Sequence, residues 1–175
     1  MSSQADRVWC CAHPSAAHAS LICPSANNYH ASAEKGENSM LPRRSVARRI
    51  ALMQLYEAEL HPALKKHPER LIRRLRSKSA ANYAKKLVVG VLREKEKLDS
   101  YIAPLCRHWD WSRIGLVEKI VLRIAAWELL HSADISVATV IDEAVESAKR
   151  FASPDAAAFV NGVLATLHKT LRPEK

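Results

Sequence analysis

The spacing of apolar residues narrows the possible folds of this chain more than any other feature. Between positions 84 and 102 they fall at Ala84, Leu87, Val88, Val91, Leu98 and Ile102. Steps of three and four put such residues on one side of an α-helix but scatter them over both faces of a strand. The same period returns at Leu116, Val117, Ile120, Val121, Ile124, Trp127 and Leu130, and again at Val137, Val140, Ile141, Ala144, Val145, Ala148 and Phe151. The stretch ISVATVI alternates in a strand-like way, but the helical period runs through it to Phe151, and the longer signal decides. With three glycines after residue 40 and no hairpin signature between apolar runs, the chain is predicted to be all-α.

Helix ends follow from local chemistry. After Pro42, the run VARRIALMQLYEAEL carries Val46, Ile50 and Met53 on one stripe and Leu52, Leu55 and Tyr56 on another. A helix apolar on two faces belongs at the centre of a bundle, and His61-Pro62 should end it. Residues 68–76 read as a short basic helix with Leu71, Ile72 and Leu75 inward and Arg70, Arg73, Arg74 and Arg76 outward. Pro104 closes the long helix that follows. Ser153-Pro154-Asp155 opens the last one with a cap, a first-turn proline and a carboxylate that complements the dipole; Val160, Val163, Leu164 and Leu167 are its inward face. Gly162 sits inside that helical pattern, where it is expected to admit a neighbouring helix. The expected architecture is a bundle of six helices with short connections.

The chain has 175 residues, 48% of them hydrophobic, enough for one domain with a core. Its net charge of +9 is unevenly placed: residues 1–40 hold two basic and three acidic side chains, residues 41–100 sixteen and six, and residues 101–175 nine of each. Basic character confined to one segment marks a surface that attracts polyanions, either nucleic acid or an anionic membrane. It is densest in LPRRSVARRI, where Arg43, Arg44, Arg48 and Arg49 crowd a helix start. Each exposed cation there opposes the dipole by about 0.3–1 kcal/mol. A solvated basic face and a site for an incoming anion both accommodate that pattern.

Residues 1–40 lack any apolar period and read as a disordered leader outside the fold, with Met40 a possible true start. They also lack a secretory h-region, and no run reaches the roughly 18 apolar residues of a membrane span. A cytosolic protein is expected. Cys10, Cys11, Cys23 and Cys106 form neither a CxxC pair nor a regular framework, and His13, His18 and His30 add no metal-ligand spacing. Phosphate-loop, HExxH, GxSxG and deaminase motifs are absent. Cys106 and His108 share a linker without making a catalytic pair, and Asp142, Glu143 and Glu146 match the outward face of their helix. Glu128 lies close to an apolar stripe and needs a partner if buried. No enzyme, cofactor or metal is expected.

Taken together, ARRIALMQLYEAEL, YAKKLVVGV, LDSYIAPLCRHWDWSRIGLVEKIVLRIAAWELL and DISVATVIDEAVESAKRFASPDAAAFVNGVL resemble the NusB family of bacterial transcription antitermination proteins, over Leu41 to Leu171. The resemblance implies an all-helical domain in residues 41–175, built of two packed three-helix sub-bundles. It also implies binding without catalysis: single-stranded boxA RNA of ribosomal transcripts is held together with the small-subunit ribosomal protein that acts as NusE, within the RNA polymerase antitermination complex. The family's arginine-rich motif falls on Arg43, Arg44, Arg48 and Arg49. Tyr83 and Lys85 lie where the family's long helix runs near RNA, although Tyr83 fits a core edge equally well as a stacking platform. Glu118 matches an acidic position on the NusE-facing helix, and Asp155 lies in a region near the RNA. The chain departs from the family pattern at Ser136, Asp142, Ala152 and Ala158, the last in place of a cation. An alternative is the NusB-like appendage of a ribosomal RNA cytosine methyltransferase, which requires a cofactor domain for which these residues leave no room.

Overall fold

The computed structural model describes residues 40–61, 69–106 and 109–171, so the leader with its cysteines and histidines lies outside the described residues, as does His108. Among the described residues five α-helices form: α1 (Met40–Leu60), α2 (Lys78–Ile102), α3 (Leu116–His131), α4 (Val137–Phe151) and α5 (Pro154–Leu171). No strand occurs among the described residues. Serines cap the starts of three helices. Ser77 Oγ accepts from the Ala80 amide, Ser136 Oγ from Thr139 at 3.1 Å, and Ser153 Oγ from Ala156 at 3.0 Å. Each supplies an acceptor for an amide with no partner inside its own helix.

Helix α3 is the centre. Its residues from Ile120 to Leu129 are all buried, and it packs on each of the other four helices. A helix buried on every side, with Arg123 and Glu128 the charged residues in that stretch, lies inside. The helices therefore form two groups, α1-α2-α3 and α3-α4-α5, which share α3. Helix α2 buries the predicted stripe from Ala84 to Ile102 and adds Ala80. It bends at Glu94, whose φ of −108° and ψ of 16° leave the helical region.

Two expectations about the helices before residue 78 are corrected. Helix α1 is a flank rather than the centre: Ala47, Ala51, Leu52, Leu55 and Ala58 are buried, whereas Val46 is 37% exposed and Ile50 and Met53 are half-buried. Its small residues allow close packing against α2 and α3. The basic helix before α2 shrinks to one 3-10 turn, Ile72–Arg74. The Leu71 amide donates to the buried Gln54 side chain of α1 at 2.9 Å, and Leu75 is already extended. The burial pattern survives, with Leu71 and Ile72 inside and Arg70, Arg73, Arg74 and Arg76 outside.

The glycine that matters to packing is Gly90. A Cβ there would collide with the Trp127 indole of α3, whereas one at Gly162 would meet open space. Close approach of two helices thus depends on Gly90, not on Gly162 as the sequence suggested. Gly90→Ala should lose about 1–3 kcal/mol by overpacking. Gly162→Ala should gain up to about 1 kcal/mol of helix propensity. Urea denaturation of the two variants measures the opposite signs.

Candidate nucleic-acid interface

The site begins with a charge in the core. Glu128 of α3 is 1% exposed, and a carboxylate so placed must be compensated. Arg48 of α1, 4% exposed, sends its Nε to both carboxylate oxygens at 3.0 Å. The Tyr83 hydroxyl of α2 donates to Glu128 Oε1, and Glu143 of α4 stands 3.8 Å from Arg48 Nη1. One buried carboxylate therefore ties α1 and α2 to α3. Burial works against the charge on Arg48, but Glu128 by charge and hydrogen bond raises its pKa overall. Burial, followed by the charge and hydrogen bond of Glu128, pushes the Tyr83 phenol well up, so it remains a donor at all ordinary pH.

This network holds the Tyr83 ring in the floor of a cleft of about 550 Å³ between the starts of α1 and α2. Arg43, Arg44 and Lys86 supply the cations of the cleft, Asn82 an amide, and Ser79 and Ala80 the first turn of α2. The Arg44 guanidinium carbon lies 5.2 Å from the Tyr83 ring centroid, a cation–π contact. Arg44 Nη2 also reaches Asp134 Oδ2 at 2.6 Å, in the turn between α3 and α4. That hydrogen bond holds the Asp134 carboxyl below the usual range against a small opposing burial effect, and the charges of Arg44 and Lys86 add to it. Lys86 Nζ lies 5.5 Å over the Trp127 ring and has no ion pair among the described residues, nor has Arg43. Neither α1 nor α2 has an acidic residue in its first turn, so both helix starts add to the positive field.

Of the residues singled out from the sequence, Arg43, Arg44 and Tyr83 meet in the cleft. Arg48 is buried and lies outside the cleft lining. Arg49 turns along its own helix to Ser45 Oγ at 3.2 Å. Lys85 pairs with Glu69 at 2.6 Å, outside the cleft lining, and its hydrogen bond and charge hold the Glu69 carboxyl low. The lysine in the cleft is Lys86, accompanied by Ser79 and Asn82. Helical spacing carries that signal, because Ser79, Asn82, Tyr83 and Lys86 follow i, i+3, i+4, i+7, and Lys85 does not. The same rule places Arg48 in line with Leu52 and Leu55, on the inward face.

Glu118 is elsewhere. It stands in the first turn of α3 with its carboxylate folded over Gly115, so it complements the dipole of its own helix. Ten residues separate it from Glu128, about 15 Å along the axis. Cys106 is buried, donates toward the Ile102 carbonyl at 3.5 Å, and has its thiol pKa raised by burial. That is the opposite of an activated nucleophile. Among the described residues no group of His, Cys, Asp and Glu could hold a metal, and no helix is long and apolar enough to cross a membrane.

The model of the NusB family matches residues 45–169. The chain belongs to the NusB family. The transcription antitermination protein NusB of Bacillus pumilus is 33% identical over 132 residues, which is 75% of this chain and 99% of that protein. Among solved structures, T. maritima NusB superposes with a TM-score of 0.69 at 30% identity, covering 74% of this chain and 93% of the other. A crystal structure of antitermination factors NusB and NusE in complex with dsRNA superposes with a TM-score of 0.64 at 31% identity, covering 75% and 99%. The region matched to the NusB family contains Arg48, Tyr83 and Glu128, while Arg43 and Arg44 precede it.

Breaking the buried pair of this NusB-family chain with Arg48→Gln should cost about 3–5 kcal/mol, because Glu128 is left without its counter-charge. Tyr83→Phe keeps the ring and loses one hydrogen bond to a charged acceptor, about 1.5–3 kcal/mol. Arg43→Gln should stay within about 0.5 kcal/mol of the parent. Chemical denaturation of the three variants ranks them.

Proposed function

We propose that this chain is a transcription antitermination factor that works by binding RNA and a protein partner, not by catalysis. The observation that carries the reading is the Tyr83 cleft: three cations and an aromatic ring line one pocket, and the hydroxyl of that ring is held by a carboxylate in the core. Phosphates of a bound strand pair with Arg43, Arg44 and Lys86, and an unpaired base stacks on the Arg44 guanidinium or, once Arg44 turns toward a phosphate, on the Tyr83 ring. Asn82 offers donors and an acceptor to a base edge. The structural likeness to a NusB–NusE complex with RNA supports the partner class. The finer proposal is single-stranded boxA RNA of ribosomal transcripts, bound jointly with the ribosomal protein that acts as NusE.

Arg48 acts here through Tyr83, as a positioning residue. Arg49 and Lys85 lie outside the cleft lining and contribute to the long-range field. Glu118 is proposed for the protein partner, since it is half-buried in the first turn of α3 and stands well along that helix from the cleft.

Fluorescence anisotropy against salt tests the RNA site. Three neutralised phosphates predict a slope of log K on log salt near −2 for a single strand, and Arg43→Gln with Arg44→Gln should flatten it by about 1.4. A duplex of the same sequence, whose bases are not open to stacking, should bind at least about tenfold more weakly. A slope unmoved by the double substitution removes the cleft from the RNA site. For Glu118→Lys, a pull-down should show a weakened complex with the ribosomal partner and RNA affinity no lower than that of the parent.

A further inference from the structure

The segment leading into α2 carries charge that the cleft does not use. Arg74, Arg76 and Lys78 are exposed, while Leu75 and Ser77 between them are half-buried. Leu75 and Ser77 both have extended backbones, with φ and ψ of −74° and 123°, and −83° and 117°. Ser77 turns its hydroxyl to the Ala80 amide as the cap of α2. Exposed cations thus alternate with half-buried residues from the end of the 3-10 turn, through the bend at Arg76, to the start of α2. Consecutive cations are separated by two residues, at most ~7 Å of backbone, comparable with one nucleotide repeat of an extended single strand.

Neighbouring acids are already engaged. Glu57 pairs with Arg70, and Glu69 with Lys85 at 2.6 Å. No ion pair engages Arg74, Arg76 or Lys78 among the described residues. The base of the row is fixed, because Leu71 and Ile72 are buried and the Leu71 amide is tied to Gln54 of α1. At its other end Lys78 is followed directly by Ser79 in the cleft wall. The row is thus a preordered, unpaired cationic edge that runs into the cleft.

We infer that Arg74, Arg76 and Lys78 form a phosphate track that carries the single strand beyond the Tyr83 cleft, an extension that rests on the RNA reading above. No aromatic ring lies along the row, so the track holds the sugar–phosphate backbone without reading bases. It lengthens the footprint and strengthens binding of long strands only.

The test uses the full chain and oligouridylates of about 4 and about 12 nucleotides, the lower end and middle of single-strand site sizes. The parent should bind the longer strand more tightly and with a steeper salt slope. Replacing Arg74, Arg76 and Lys78 together by Gln should flatten that slope by about 2 and lower affinity for the long strand at least tenfold at low salt. Binding of the short strand should not change. If the triple variant holds the long strand as the parent does while Arg43→Gln with Arg44→Gln weakens both strands, the track is refuted and the cleft reading stands. If neither set of substitutions matters, both fail. If the triple variant loses only the ribosomal partner in the absence of RNA, the row is a protein contact and the inference is overturned.

Discussion

One buried carboxylate organises this protein. Glu128 sits in the helix that every other helix touches, and desolvating it would be prohibitive without compensation. The compensation comes from two different helices, the Arg48 guanidinium and the Tyr83 hydroxyl. The relative placement of α1, α2 and α3 is thereby specified by directional bonds as well as by apolar packing. A well-packed apolar replacement could be equally stable, so the polar network is better understood by what it positions. It fixes the edge of Tyr83, and with it the floor of the cleft.

The surface consequence is a cluster of like charges that the fold does not fully neutralise. Arg43 and Arg44 stand at a helix start where the dipole opposes them, and Lys86 approaches from α2. Partial relief comes from the Tyr83 face and from Asp134, which is 63% exposed in its pair with Arg44. An exposed pair of this kind contributes at most about 1 kcal/mol, so a phosphate can exchange for Asp134 at little loss. The cleft is held in shape by strong buried contacts and kept available by weak exposed ones.

Much of this was legible in the residues. The stripe of α2 and the cap at Ser153 are local signals, set by period and by an unpaired amide, and the local structure follows them. Glu128 announced itself as a charge on an apolar stripe. Other features depended on tertiary partners. Val46, Ile50 and Met53 make a helical stripe as regular as Leu52 and Leu55, and only the position of α3 decides which is buried. The turn at Ile72–Arg74 stops at the extended Leu75, and its start is held by Gln54, seventeen residues earlier, which takes the Leu71 amide. Arg48 resembled its neighbours in composition, yet its phase within α1 sends it inward. Lys85 and Lys86 differ by one position, about 100° of helix, and that angle separates an ion pair with Glu69 from the cleft.

On the RNA reading proposed above, placing the Tyr83 ring on a core network has a thermodynamic logic. A tyrosine left to rotate at the surface would lose side-chain entropy on stacking, a cost charged against affinity. Here the ring is ordered before any ligand arrives, because its hydroxyl is engaged by Glu128 and its pKa keeps that hydroxyl protonated. Arg44, lying over the ring, is partly ordered by the same arrangement. Folding stability and binding readiness are therefore linked through the same few atoms. A change that loosens Arg48 or Glu128 weakens the contact between α1 and α3 and frees the ring at once, even though neither residue lines the cleft.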